Sequence, residues 1–337
     1  MIDILIIFIA ASLLLYVLLG GSDFGAGIIE LLPAGRLREA QKKVINRAMG
    51  PVWEANHMWL ILLVVILFMG FPNIFTTLMI ALHFPLLALL VGIVVRGSAF
   101  VFRHYDAIQE ARTQRIYTGL FGVSSLWSAF WLGIIAASLN RGLIDPEARE
   151  VWAAWFAPWW GLYPLAVGAF VACIYAFLAS IYLVGETEEP ALKLRFLRLA
   201  AWANGLVVLA GGLVFAASLG ERDNLPAAFL RDPLKLGIVA LATLLFVMLW
   251  FFVAKRRTLL TRMVASGQVA LILIGWYMLY APNALTTAQG PLSFYHEAAP
   301  PATLRQLVLA LLIGSAFIFP SLFYLFRIFK LTDGPKE

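Results

Sequence analysis

Long apolar runs separated by short polar stretches dominate the chain. They fall at about 4–29, 52–71, 74–102, 116–138, 159–184, 197–219, 234–254, 263–281 and 304–329. A helix needs roughly 20 apolar residues to cross the hydrocarbon of a bilayer. The pattern therefore predicts an all-α integral membrane fold with nine transmembrane helices. Its spacing is compatible with two four-helix bundles plus one peripheral helix. Residues 1–337 read as a single polytopic membrane domain with no soluble domain and no low-complexity tract. The first run has no basic stretch before it and no small-residue cleavage signal after it, so it reads as a retained helix.

Composition agrees with this pattern. Hydrophobic residues make up 62% of the chain and charged residues 13%, against roughly 25% charged in soluble proteins. The formal net charge of +6 is not a nucleic-acid patch, because the cations sit in short clusters between spans. Arg36, Arg38, Lys42, Lys43 and Arg47 fill the first loop, and Arg103, Arg112 and Arg115 flank the third. Lys193, Arg195 and Arg198 mark the fifth loop, Lys255, Arg256, Arg257 and Arg262 the seventh, and Arg327, Lys330 and Lys336 the tail. The even loops carry Arg141, Arg149, Arg222 and Arg231. About 18 cations on one side against about 4 on the other place the odd loops and the C-terminus in the cytoplasm. With nine spans, the N-terminus lies outside.

Ionisable groups inside a span are costly and point to function. Asp23 lies late in the first run, Glu54 opens the second, and Arg96 lies late in the third. At about 1.5 Å of rise per residue, all three reach one level near the cytoplasmic edge. Glu30 reads as a helix-end residue, and the second half of the chain has no acid at mid-membrane depth. One reading has Arg96 neutralise Asp23 or Glu54 and hold the helices together. The other adds a carboxylate that relays protons inward from the cytoplasm. The two are compatible.

Several local patterns have competing meanings. GGSDFGAG (20–27) offers small residues for close helix approach or local unwinding around Asp23. No strand precedes it, which argues against a phosphate loop. In PVWEANHMWLI (51–61), Pro51 suits a first helical position. Glu54 and His57 form the Glu-x-x-His spacing of di-iron bundles, but the matching residues on other helices are missing. His57 and His83 read as packed histidines rather than haem ligands, and Cys173 as packing. Trp152, Trp155, Trp159 and Trp160 read as an interfacial belt. The long loop before the last span is expected to pack over the bundle or touch a partner.

GGSDFGAG, PVWEANHMWLI and RGSAFVFR (96–103), with the run NALTTAQGPLSFYHEAAPPATLRQL, together resemble subunit II of the cytochrome bd-type quinol oxidases. Their order and the nine-span topology match that family over essentially the whole chain. PVWEANH, with Glu54 where some members carry Asp, resembles the shorter cyanide-insensitive branch. The resemblance implies a subunit without activity alone. Its partner, subunit I, would carry the haems (b and d, or b only) and the site that oxidises quinol, and the complex would reduce dioxygen to water in a prokaryotic cytoplasmic membrane. It implies no haem or metal ligated by this chain. Trp53 and Glu54, with Asp23, correspond to the family's cytoplasmic proton path, and Arg96 and Arg103 to its charge partners. Small single-span accessory subunits, lipid and quinone complete the expected partners, with no nucleic acid. A secondary transporter is the rival reading. It would place polar sites near the midplane, whereas here the charges gather at one edge.

Overall fold

The computed structural model describes residues 1–50, 53–105 and 110–326. Pro51, the tail cations Arg327, Lys330 and Lys336, and the expected end of the last run at 329 lie outside the described residues. Within them, nine helical segments are long and apolar enough to cross a membrane. The count and the all-α class match the sequence pattern, while several boundaries move.

The first span is not one uniform helix. It comprises α1 (Ile2–Leu15), a π-helical turn at Tyr16–Gly20 and α2 (Gly21–Leu31). The first loop then holds an amphipathic helix, α3 (Arg38–Met49), where the sequence predicts a basic loop. Gln41, Ile45, Ala48 and Met49 form its buried face, a helical spacing that seats it against the bundle.

The second span is α4 (Trp53–Gly70). The third apolar run breaks into α5 (Pro72–Ala81) and α6 (His83–Tyr105). Pro85 accounts for the break at Leu82: it has no N–H to give to the carbonyl of Ala81, and its ring crowds that turn. The remaining spans are α7 (Ala111–Ser138), α9 (Leu162–Val184), α10 (Pro190–Ala217), α12 (Pro233–Ala254), α13 (Thr258–Tyr280) and α14 (Pro301–Phe326). Two short helices, α8 (Val151–Trp155) and α11 (Leu225–Leu230), lie in loops.

The loop before α14 folds over one end of the bundle as a hairpin of β1 (Asn283–Thr286) and β2 (Pro291–Ser293). Backbone N–H groups of Thr286, Ala288 and Ala299 donate to the carbonyls of Leu139, Ile144 and Gly70, each at 2.8 Å. Tyr295 donates its hydroxyl to Asp3 at 2.6 Å, and that carboxylate raises the pKa of the phenol. At the same end Arg141 grips Glu221 with two hydrogen bonds of 2.9 and 2.8 Å.

The odd loops meet at the other end. Lys42 donates to Gln114, Arg195 to Gln41 and the Pro33 carbonyl, and Arg262 to Glu186. The fold thus gathers the cation-rich loops on one side, as the charge census requires.

Candidate functional site

Two glycines bring α2 into the middle of the bundle. A Cβ on Gly25 would fall on the backbone carbonyl of Tyr175 in α9, and one on Gly27 would fall on the side chain of Ser125 in α7. GGSDFGAG therefore serves both close approach and, through the π turn just before it, an altered helical register. The π turn is a local widening of the kind often found at functional sites.

Asp23 is fully buried and faces α6. Arg96 Nη2 stands 2.6 Å from Asp23 Oδ1, with both side chains at 2% exposure or less. The approach is a charge contact rather than an aligned hydrogen bond, and neither carboxylate oxygen has a hydrogen-bond partner among the described residues. The guanidinium directs its aligned bonds elsewhere, from Nε to Ser125 Oγ at 3.0 Å and from Nη2 to the Asp23 carbonyl at 3.3 Å. Arg96 therefore neutralises Asp23 and not Glu54.

A second pair lies seven residues along both helices, about 10.5 Å or two turns away. Arg103 Nη1 bonds both oxygens of Glu30 at 2.8 Å, and Nη2 bonds Asn46 of α3. Glu30, read from sequence as a helix-end residue, is a full partner in this seam. The repeat Asp23/Glu30 against Arg96/Arg103 was visible in the spacing, since seven residues return to nearly the same helical face. The ring of Phe121 lies between the pairs, 4.9 Å from the Arg96 guanidinium and 4.8 Å from that of Arg103. Phe24 and Phe100 cover the other faces at 4.8 and 5.6 Å. At the basic end of the seam, burial and then the charge of Arg103 push the pKa of the Lys42 ammonium down.

Glu54 has a different setting. It is exposed, and no described residue gives it a hydrogen bond or an ion pair. Met58, Ile61, Val65 and Phe68 follow it down one face of α4, all exposed. Trp53 packs the other way, its ring 5.3 Å from Phe100 at the edge of the seam. The fold divides Asp23, Arg96 and Glu54, which helix rise puts at one level, into a sealed pair and an open carboxylate.

Among the described residues no group of three or more His, Cys, Asp or Glu could hold an ion. His83 places Nδ1 2.8 Å from the Ile80 carbonyl and packs on Phe84 and Trp155. His57 lies 6.2 Å from the ring of Tyr16 and 5.8 Å from that of Phe24. Both are packed against aromatic neighbours.

Known proteins bear on this arrangement. A family model described as cytochrome bd terminal oxidase subunit II matches residues 1–329. Cytochrome bd ubiquinol oxidase subunit 2 of Bacillus subtilis (strain 168) is 24% identical over 99% of this chain and 97% of its own. A putative cytochrome bd menaquinol oxidase subunit II of the same organism is 21% identical over 94% of this chain and 91% of its own. A chain of the bd oxidase from Geobacillus thermodenitrificans shares the fold. Its TM-score is 0.75 at 19% identity, over 98% of this chain and all of that one. The nine spans and the match along nearly the whole length agree: the chain belongs to the cytochrome bd terminal oxidase subunit II family.

Proposed function

We propose that this chain is the non-haem half of a quinol-oxidising, dioxygen-reducing complex and that it carries protons from the cytoplasm toward a haem-bearing subunit I. The chain is a multi-pass protein of a prokaryotic cytoplasmic membrane. On this reading residues 1–337 work as one membrane domain, grouped as two four-helix bundles with one peripheral helix. The basic end faces the cytoplasm and the hairpin end faces outward. Haems b and d, or b only, belong to the partner, where they supply the electron transfer and oxygen chemistry. Lipid, quinone and small single-span subunits are further partners.

The exposed Glu54 is the observation that carries this reading. A carboxylate heading an otherwise apolar helix face is poorly matched to hydrocarbon. Met58, Ile61, Val65 and Phe68 below it form a stripe suited to another protein's helices. Subunit I docked on this face would cover Glu54 and place it at the seam between subunits. Glu54 would then accept protons from the cytoplasmic side and pass them along that seam, with Trp53 holding the first turn of α4 against α6. Asp23, paired with Arg96 at 2.6 Å, would form the inner station of the path.

A complex purified through a tag on this chain tests the assignment. Reduced-minus-oxidised spectra are expected to show haem bands, borne by a copurifying membrane subunit. An intact preparation with no haem-bearing partner would overturn it.

A further inference from the structure

A groove of about 340 Å³ opens at the basic end, where the loop before α3 meets the start of α10. Leu37, Ala191, Leu194, Arg195, Arg198 and Leu199 line it. Its uncharged lining is wholly apolar, and its charged lining is wholly arginine. Arg195 gives Nε to Gln41 at 2.6 Å and Nη2 to the Pro33 carbonyl at 2.8 Å, which ties α10 to the first loop. Its Nη1 has no acceptor among the described residues. Arg198 is exposed, and no described residue gives it a hydrogen bond or an ion pair.

Cations outnumber acids around this groove. Arg36 and Arg38, the exposed chain neighbours of Leu37, have no ion pair among the described residues. The acids nearby in the chain are Glu39, Glu188 and Glu189, and Lys193 takes Glu188 at 2.7 Å. Below Arg198 the same face of α10 turns apolar. Trp202, Leu206 and Leu209 follow at helical spacing, all exposed, with Trp202 at 76%. From Arg198 to Leu209 this face runs about 16 Å, close to the thickness of one hydrocarbon leaflet, about 15 Å. An arginine at the hydrocarbon edge without a counter-ion is costly, and a guanidinium fork matches the oxygens of a phosphate. A free phosphate would meet the arginines alone. A phospholipid would meet both the arginines and the stripe.

We infer that this groove holds an anionic phospholipid, its phosphate against Arg195 and Arg198 and an acyl chain along Trp202, Leu206 and Leu209. The surplus of cations selects a headgroup of net negative charge over a zwitterionic one, whose ammonium the arginines repel. The bound lipid braces the joint that Arg195 makes between α10 and the first loop. The inference gives the lipid partner of the proposed complex a place and a charge, and it rests on that reading.

The test uses the whole complex in phosphatidylcholine vesicles that contain a minor fraction of lipid brominated in its tails. That fraction is either phosphatidylglycerol or phosphatidylcholine. Bromine quenches tryptophan on contact, and the difference between the parent and Trp202→Phe isolates the Trp202 signal. Brominated phosphatidylglycerol is expected to quench this signal at a concentration about fivefold lower than brominated phosphatidylcholine. Arg198→Gln should bring the two lipids level, and inorganic phosphate should not displace either. Equal quenching of the parent by both lipids would overturn the inference, as would a parental preference in Arg198→Gln or displacement by inorganic phosphate. Quenching by neither lipid would mean that protein covers this face, and would overturn it too. If Arg198→Gln does not assemble, the two lipids on the parent decide alone. Haem spectra of the tagged complex test the subunit reading separately, so either can fail without the other.

Discussion

Asp23 and Glu54 enter the membrane-spanning bundle from the same end, yet the fold gives them opposite surroundings. Asp23 belongs to a sealed seam of α2, α6 and α7, where each acid meets an arginine and aromatic rings close the gaps. Glu54 heads an open face of α4 with no partner from its own chain among the described residues. The contrast separates two uses of charge in a membrane. A matched pair inside one chain specifies packing. An unmatched carboxylate at the surface points to what lies beyond it.

If the seam is structural, breaking it should damage the protein most. Arg96→Leu leaves the Asp23 carboxylate buried without a counter-charge, a loss of about 3–5 kcal/mol. Little folded complex should be recovered, as read by size-exclusion profile and haem yield. The double variant Asp23→Leu/Arg96→Met removes both charges and should restore much of the yield. Failure of the double variant to do so would mean that Asp23 matters for more than pairing.

Arg103→Ala should cost slightly less, about 3 kcal/mol, because Glu30 lies nearer the loops and can regain water. The expected sign is a lowered thermal midpoint of the purified complex with a reduced yield. Phe121→Leu keeps the volume roughly filled but removes the ring between the two guanidiniums. At about 0.5–2 kcal/mol per cation–π contact, it should lower the midpoint by a few degrees and leave turnover intact. A drop in turnover at full haem content would move Phe121 from packing to proton transfer.

Much of the fold could be read from the chain because membrane insertion leaves few options: the apolar runs gave nine spans, and the cation bias sorted the loops. Less visible were the features set by local geometry. The break at Leu82 follows from Pro85 and was readable. The π turn at Tyr16 lies in a uniformly apolar run and left no pattern. Helix α3 is short and cation-rich, so the buried face of Gln41, Ile45 and Ala48 stands out weakly in the chain. At the site, the residues and their depth were legible, but the pairing was not. Depth from helix rise cannot say toward which neighbour a side chain turns, so Arg96 had two possible partners and Glu30 had none. The rotation of α4, which turns Glu54 outward, depends on packing of Asn56 and Trp59 that no local signal reports.

The smallest expected effect on stability is also the most informative. Glu54→Gln keeps the size and hydrogen-bonding ability of the side chain and removes only its charge and its titratable proton. Being exposed and unpaired among the described residues, it should change folding by less than about 1 kcal/mol. The direct measurement is oxygen consumption by the purified Glu54→Gln complex, normalised to haem content. The account predicts normal haem content with consumption reduced about tenfold or more. Normal haem content with unchanged consumption would contradict it.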